Sequence, residues 1–248
     1  MRTDPRLIAV ASGKGGVGKT WFAITLAHAL TRLGRRVLLF DADFGLANID
    51  VQLGLMPAHD LGSVLDGGVP LADAVVRHPD CGFDILAGRS GSGALSDLLP
   101  DRLEAVLAMP RNGSAGYDDV LLDLGAGVER GVRRMAGLSD ILLVLATEDP
   151  TSLTDAYAVL KLHRMDRPLG DARIAVNMVA THAAGERTYF TLRRACSTFL
   201  RFEPKLAGIV RRDDKVRDAI RRQSPLLTRH PACLAASDIE VVAQGLVG

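Results

Sequence analysis

Residues 13–20 combine the chemical groups that hold phosphate. They read Gly-Lys-Gly-Gly-Val-Gly-Lys-Thr, which satisfies the spacing G-x-x-x-x-G-K-[ST] between a predicted strand and a predicted helix. Glycines let the backbone fold tightly, so that N–H groups and the helix N-terminus point at a bound anion. We expect Lys19 to reach the β- and γ-phosphates of a nucleotide and the Thr20 hydroxyl to bind Mg²⁺. The residues predicted to contact the nucleotide here are Gly13, Lys14, Gly15, Gly16, Val17, Gly18, Lys19, Thr20 and Trp21.

Carboxylates follow two further apolar runs of the chain. Asp41 and Asp43 end one run, and Asp123 ends a later one, just before the glycine turn at 125–127. Carboxylates at the C-terminal ends of parallel strands face the crevice where ligands of open α/β sheets bind. Asp123 can hold a water bound to Mg²⁺, and the Gly125 N–H can respond to a γ-phosphate as switch loops do. One division of labour places Asp41 near Mg²⁺ and lets Asp43 orient the attacking water.

Short apolar runs that alternate with helical patterns must position these groups. Most runs are apolar at consecutive positions, as strands buried on both faces of a parallel sheet require. The alternation predicts a doubly wound α/β fold, with a mostly parallel sheet and helices on both faces. No linker divides residues 1–248, so we expect a single domain, with short helices and turns over 57–79. The predicted strands are 7–11, 37–40, 83–86, 120–122, 141–145, 174–179 and 206–210, and the clearest helices are 18–33, 151–163 and 185–202.

The composition excludes several classes of protein. The chain is 48% hydrophobic with a formal net charge of +1, which excludes disorder as its main state. Its three cysteines, Cys81, Cys196 and Cys233, lack metal-binding spacing and predict reduced thiols. No apolar stretch reaches the roughly 18 residues of a membrane-spanning helix, and no signal peptide is recognisable. These features predict a cytoplasmic protein.

The small net charge hides an uneven distribution along the chain. Residues 187–222 contain eleven basic and four acidic side chains, so this basic segment carries +7 and the rest of the chain −6. One interpretation is a solvated helix face with internal ion pairs. The other is a surface for a polyanion, such as non-specific DNA, or for an acidic protein partner.

These motifs together resemble the MinD/ParA family of P-loop NTPases with a deviant Walker A loop, over nearly the whole chain. The resemblance rests on Lys14 in Lys-Gly-Gly-x-Gly-Lys-Thr, on the run Asp-Ala-Asp-Phe-Gly-Leu-Ala-Asn-Ile-Asp-Val-Gln-Leu-Gly-Leu at 41–55, and on Leu-Ala-Gly-Arg-Ser-Gly at 86–91. Asp-Leu-Gly-Ala-Gly at 123–127 and Thr-Glu-Asp-Pro-Thr-Ser-Leu-Thr-Asp-Ala-Tyr-Ala at 147–158 complete it. The last motif is typical of the FlhG (FleN) branch, which regulates flagellar number.

The resemblance implies roles for individual residues. Asp43 would activate water, with Lys14 and Lys19 as the other catalytic residues, while Thr20, Asp41 and Asp123 would serve Mg²⁺. Lys14 would reach across a dimer interface to the partner's nucleotide, close to Ser152 and Asp155. Asn177 would read adenine, and Arg211, Arg212 and Asp213 would form the second adenine-side segment. Trp21 and Leu124 depart from the family pattern, which has small polar residues at these positions.

The resemblance also implies an activity, partners and an alternative. The chain would be an ATPase that uses ATP and Mg²⁺, forms an ATP-bridged homodimer, and controls flagellar number or placement through a flagellar regulator, a GTPase or a C-ring component. The alternative is a ParA-like ATPase that positions a chromosome, plasmid or other cargo on non-specific DNA. Metal-cluster ATPases share the loop, but no cysteine follows closely on Asp123. Residues 235–248 carry no Lys, Arg, Trp or Phe, so we expect a helix that packs on the domain rather than a membrane anchor.

Overall fold

The computed structural model describes residues 4–88, 105, 106, 108, 109, 111, 112 and 116–248. The strands are β1 Arg6–Ala11, β2 Val37–Ala42, β3 Val75–Arg77, β4 Asp84–Leu86, β5 Asp119–Leu124, β6 Ile141–Ala146, β7 Asp171–Val179 and β8 Lys205–Arg211. The helices are α1 Lys19–Arg32, α2 Ile49–Leu53, α3 Leu61–Leu65, α4 Leu71–Ala74, α5 Arg130–Leu138, α6 Pro150–Asp166, α7 His182–Leu200, α8 Asp214–Arg221, α9 Leu226–Arg229 and α10 Leu234–Val247.

The strands of the described ranges form one eight-stranded sheet in the order β3-β4-β2-β5-β1-β6-β7-β8. All neighbouring pairs are parallel except β3 and β4. The chain passes from β1 to β2 on one side and later returns to β6 on the other side. The loop after β1 therefore lies where the strand order reverses, which is the ligand-binding crevice of such sheets. The predicted doubly wound, mostly parallel fold is confirmed.

Two hydrophobic cores lie on opposite faces of this sheet. The side chains of β1 alternate between them, with Ile8 and Val10 in one core and Leu7, Ala9 and Ala11 in the other. The first core is closed by α1, α2, α8, α9 and α10, and the second by α3, α4, α5, α6 and α7. Burial on both faces explains why the strands are apolar at consecutive positions.

The region 57–79 differs in part from its prediction as short helices and turns. It contains α3 and α4, but β3 follows them directly and pairs antiparallel with β4 at the sheet edge. The chain reverses over residues 79–82, and the His78 N–H donates to the Phe83 carbonyl at 2.9 Å. Because Val75 and Val76 are only half-buried, this short edge strand lacks the continuous apolar signature of the central strands.

The C-terminal helix α10 packs on the sheet, as the sequence predicts. It buries seven side chains along one face: Ala235, Ala236, Asp238, Ile239, Val242, Ala243 and Leu246. Val242 lies directly over Gly208 of β8, where an added Cβ would overlap its methyl group. In the part of the chain that the structure describes, no helix has both the length and the apolar character needed to cross a membrane.

Two adjacent valines of α10 test this packing. Val242 is fully buried and Val241 is 64% exposed. We expect Val242→Ala to lower the free energy of unfolding by about 2 kcal/mol, since two buried methyl groups are lost. The matched Val241→Ala should change it by less than about 0.5 kcal/mol. Urea unfolding measures both values, and equal effects would contradict the packing of this helix.

Candidate functional site

The phosphate-binding loop joins the end of β1 to the first turn of α1. Gly18 precedes α1 with φ at 85°, a left-handed conformation that glycine adopts without strain. Gly13 lies against α6 so closely that a Cβ there would overlap the backbone carbonyl of Asp155. Lys14, Gly15 and Gly16 are exposed at the crevice. The loop thus presents backbone N–H groups and the α1 N-terminus to the place where an anion would bind.

Lys19 and its neighbours lie at the start of α1. Lys19 is largely buried, and Thr20 is partly buried beside it. The charge of Lys19 and a hydrogen bond from the Thr20 hydroxyl both stabilise the ionised form of Asp123. Trp21 points into the first hydrophobic core and its Nε1 lacks a hydrogen-bond partner within the described ranges. The structure therefore brings Thr20 to the predicted carboxylates and packs Trp21 in the core rather than on the crevice surface.

Asp41 and Asp123 lie side by side in the sheet. They are register partners on β2 and β5, and each is at most 1% exposed. Burial, together with the neighbouring charge of Asp123, raises the pKa of Asp41 to about 7. Burial likewise raises the pKa of Asp123 to about 6, against the opposing charge of Lys19. Two adjacent buried carboxylates create a strong demand for a cation.

Asp41 also holds the segment that follows it. Its carboxylate accepts hydrogen bonds from the N–H groups of Asn48 at 3.0 Å and Ile49 at 3.2 Å, at the start of α2. The Asp43 N–H donates to the other carboxylate oxygen of Asp41 at 3.2 Å. Asp43 itself accepts from the Leu46 N–H at 3.0 Å and faces Gly125, where an added Cβ would lie 3.4 Å from its oxygen. Asp43 thus lies between the two loops that border the crevice.

The residues predicted for Mg²⁺ fit that ion. Asp123 Oδ1 is buried and has no hydrogen-bond partner among the described residues, so an open acceptor is aimed into the site. Mg²⁺ typically takes one or two protein oxygens, with waters and substrate phosphates completing its shell. Clusters of three or more His, Cys, Asp or Glu side chains that could hold a metal without such help are absent from the described ranges.

Asn177 makes two hydrogen bonds within the chain, and its contact with adenine stays a prediction. It is 1% exposed, its Nδ2 donates to the Val17 carbonyl at 2.9 Å, and its Oδ1 accepts from the Met178 N–H at 2.9 Å. The amide therefore ties β7 to the phosphate-binding loop. One Nδ2 hydrogen and one Oδ1 lone pair remain for any further contact. Met178 adopts a left-handed φ of 60°, an unusual conformation for a non-glycine residue.

Two residues of the segment 211–213 make contacts within the fold, and the third lines the crevice. Arg211 pairs with Asp238 of α10 through two hydrogen bonds of 2.7 and 2.9 Å. Asp213 caps α8 by accepting from the Lys215 N–H at 2.9 Å. Arg212 is exposed and lines a cavity of about 160 Å³ with Lys14 and the loop glycines. Only Arg212 of these three thus presents its side chain to the crevice.

The predicted dimer-interface residues also differ in their exposure. The Lys14 Nζ donates to Thr151 Oγ1 of the same chain at 2.9 Å. Ser152 is 2% exposed and its hydroxyl accepts from the Thr147 N–H at 3.0 Å. Ser152 therefore shapes the loop from inside, and its contact with a partner subunit stays a prediction. Asp155 is half-buried, with its backbone against Gly13.

The structure adds residues to the site that the sequence analysis did not assign. Thr147, Glu148, Asp149 and Met178 line the same cavity as Arg212. The Gly127 N–H donates to the Ser12 carbonyl at 2.9 Å, which joins the glycine turn after β5 to the phosphate-binding loop. The run Thr-Glu-Asp-Pro signals the first three, whereas no sequence signal identifies Met178 or Ser12.

Comparison of the chain with known proteins identifies its family. The sequence profile of the CobQ/CobB/MinD/ParA nucleotide binding domain matches residues 8–226. The chain belongs to the MinD/ParA family. Within this family it is 34% identical to the antiactivator FleN of Pseudomonas aeruginosa, over 96% of this chain and 85% of FleN. It is 30% identical to the flagellum site-determining protein YlxH of Helicobacter pylori, over 98% of this chain and 82% of YlxH.

A solved MinD structure has the same fold. The septum site-determining protein MinD of Pyrococcus horikoshii, solved with Mg-ADP, superposes with a TM-score of 0.80. It is 22% identical and the match covers 98% of this chain and 96% of that chain. Of the motifs that carried the MinD/ParA resemblance, Arg89, Ser90 and Gly91 lie outside the described residues.

The basic segment of this MinD/ParA protein is partly neutralised within the chain. Arg193 pairs with Glu203, and Arg222 lies 3.9 Å from Asp218. Asp218 also accepts from Arg229 at 2.6 Å and lies 2.8 Å from His230 Nε2, and these two contacts lower its pKa to about 2. Arg187 and Arg194 remain exposed on one face of α7. The ion-paired interpretation is therefore supported for several members of the segment, including Arg211.

Asn177→Ala separates the two roles of Asn177. The substitution would leave the Val17 carbonyl and the Met178 N–H unpaired, which costs about 1–3 kcal/mol of stability. If Asn177 acts as a tie for the loop of this MinD/ParA protein, ATP and GTP affinities should fall by the same factor. Binding of fluorescent ATP and GTP analogues measures this, with urea unfolding as the stability readout. A loss confined to ATP would show instead that the amide reads adenine.

Proposed function

We propose that the chain is an ATP-dependent dimerising switch ATPase that regulates flagellar number or placement. The observation that carries the proposal is the convergence of Lys19, Asp41, Asp43 and Asp123 at one point of the sheet, where the strand order reverses. The likeness to FleN and YlxH over nearly the whole chain supports the flagellar role. We further propose that the chain acts as one ATPase domain, since its described strands share one sheet.

The side chains of the site have complementary tasks in this proposal. Lys19 and the loop N–H groups bind the phosphates, and Thr20, Asp41 and Asp123 hold Mg²⁺. When bound, Mg²⁺ supplies positive charge against the phosphate oxygens. Asp43 orients the attacking water and accepts its proton, from a position between the loops at 43–46 and 125–127. Loss of the γ-phosphate then releases both loops, which ends the active state.

Lys14 is the residue on which the proposed dimer depends. In this chain its ammonium group rests on Thr151 at the exposed rim of the crevice. That hydrogen bond is solvent-exposed and easily exchanged, so Lys14 is available to a nucleotide held by a second subunit. Dimerisation would then depend on ATP, and hydrolysis would separate the subunits.

Compartment and partner follow from the same proposal. Cys81 and Cys196 are buried free thiols, which fits the reducing cytoplasm. The partner would be a flagellar regulator, a GTPase or a C-ring component. The alternative of a positioning ATPase on DNA rests on Arg187 and Arg194, whose side chains are exposed. The ion pairs of Arg193 and Arg211 remove charge from that surface, so we favour the flagellar role.

Lys14→Ala tests the dimer. We expect the variant to bind ATP but to remain monomeric with ATP and Mg²⁺, because the contact across the interface is lost. Light scattering after size-exclusion chromatography measures the mass. Thr151→Ala is the matched control, since it removes the intrachain partner and should leave the dimer intact. An ATP-dependent dimer of Lys14→Ala would contradict the proposal.

Asp43→Ala tests the assignment of the catalytic base. Phosphate release should fall by about 10²–10⁴-fold, the usual contribution of a general base, while ATP-dependent dimerisation persists. Asp50→Ala, which removes a carboxylate from the same segment, should keep near-normal turnover. Full hydrolysis by Asp43→Ala would exclude Asp43 from the water-activating role.

A further inference from the structure

A large open groove lies on the second face of the sheet, away from the phosphate-binding loop. It encloses about 620 Å³ between α5 and the end of α6. Four of its seven lining residues are arginines, and the lining comprises Arg130, Arg133, Arg134, Gly137, Leu138, Asp166 and Arg167. None of these residues has a role in the nucleotide site, so the groove needs a separate explanation.

The charges of the groove are only partly compensated. Arg133 forms a two-bond pair with Asp166, at 2.6 and 2.9 Å. Arg167 donates to the Gly137 carbonyl, which is a neutral acceptor. Arg130 is exposed and, within the described ranges, has no carboxylate partner. A planar guanidinium binds a carboxylate through two parallel hydrogen bonds, as the Arg133–Asp166 pair shows, so Arg130 and Arg167 offer further positions of this kind.

A mostly apolar pocket adjoins the groove and shares Arg133 and Asp166 with it. Val128, Val132, Ala136 and Leu162 contribute to its walls. His163 also lines it, and His163 Nε2 is buried with no hydrogen-bond partner in the described part of the chain. Val128 of this pocket is 39% exposed. Arginines beside apolar side chains, as in the groove and this pocket, are characteristic of protein–protein interfaces.

We propose that this groove binds a partner-protein segment in which acidic side chains alternate with aliphatic ones. The carboxylates would pair with Arg130 and Arg167, and the aliphatic side chains would cover Val128 and Leu138. This inference deepens the proposed switch function, because α5 begins three residues after Gly127 of the turn that follows Asp123. The affinity of a partner for α5 would therefore depend on the state of the nucleotide site, through that turn.

Nucleic acid fits the groove less well than an acidic protein segment. Asp166 and the exposed Glu129 stand beside the arginines and would repel a continuous row of phosphates. Aromatic side chains on which a base would stack are missing from the lining that the structure describes. An alternating peptide satisfies both the arginines and the apolar wall.

A labelled peptide tests the proposal with the full chain. The probe is a fluorescein-labelled peptide of Glu-Leu repeats, and its binding is followed by fluorescence anisotropy with and without ATP and Mg²⁺. The groove variant is Arg130→Glu with Arg167→Glu. The control is Lys161→Glu with Arg217→Glu, which makes the same charge change at exposed positions outside the groove. Arg130→Gln with Arg167→Gln replaces the groove variant if urea unfolding shows that charge reversal prevents folding.

We expect the groove variant to weaken peptide binding by about tenfold or more, and the control by less than about threefold. Absence of peptide binding to the unsubstituted chain, or equal losses in the two variants, would overturn the proposal. Selective loss of duplex-DNA binding in the groove variant would overturn it too, in favour of a nucleic-acid site. Binding of a fluorescent ATP analogue to each protein tests the proposed ATPase separately, because that site does not include the groove.

Discussion

Two carboxylates buried side by side impose the central constraint on this structure. Asp41 and Asp123 face each other across β2 and β5, and burial raises the pKa of both. Such a pair opposes folding unless positive charge approaches it. Lys19, the Thr20 hydroxyl and the N–H groups at the start of α2 supply part of that compensation. In the proposed function the remaining demand is met by Mg²⁺, so the same arrangement that weakens the unliganded fold would strengthen its attraction for that ion.

The carboxylate pair is mechanically connected to two surfaces of the molecule. Asp41 caps α2, and Gln223 at the end of α8 donates to the Val51 carbonyl of α2 at 2.8 Å. Asp123 leads into the glycine turn, which is tied to Ser12 and then runs into α5. The contacts of the pair therefore reach helices on opposite faces of the sheet. A switch needs this kind of connection, since a ligand shifts an equilibrium only through contacts that differ between the two states.

Local features of the sequence predict much of the fold and the phosphate-binding loop. Strands buried on both faces are apolar at most consecutive positions, and the glycine spacing in residues 13–20 has a direct conformational meaning. The adjacency of Asp41 and Asp123 is beyond such reasoning, because it depends on the insertion of β5 between β2 and β1. The tie between Asn177 and Val17 is equally hidden, since it joins residues 160 positions apart. The edge strand β3 is not predicted for a different reason. Its run of residues is short and only half-buried, so it lacks the continuous apolar sequence of a central strand.

The distribution of charge along the sequence differs clearly from its distribution on the folded surface. The segment 187–222 has an excess of seven positive charges, yet Arg193, Arg211 and Arg222 each lie beside a carboxylate in the fold. The arginines of the groove belong to the part of the chain with net negative charge. They come from α5 and from Arg167, which the fold brings together although more than 30 residues separate them. Because an ionic partner responds to potential at a surface and not to a running sum along the chain, the groove is the stronger candidate for recognition.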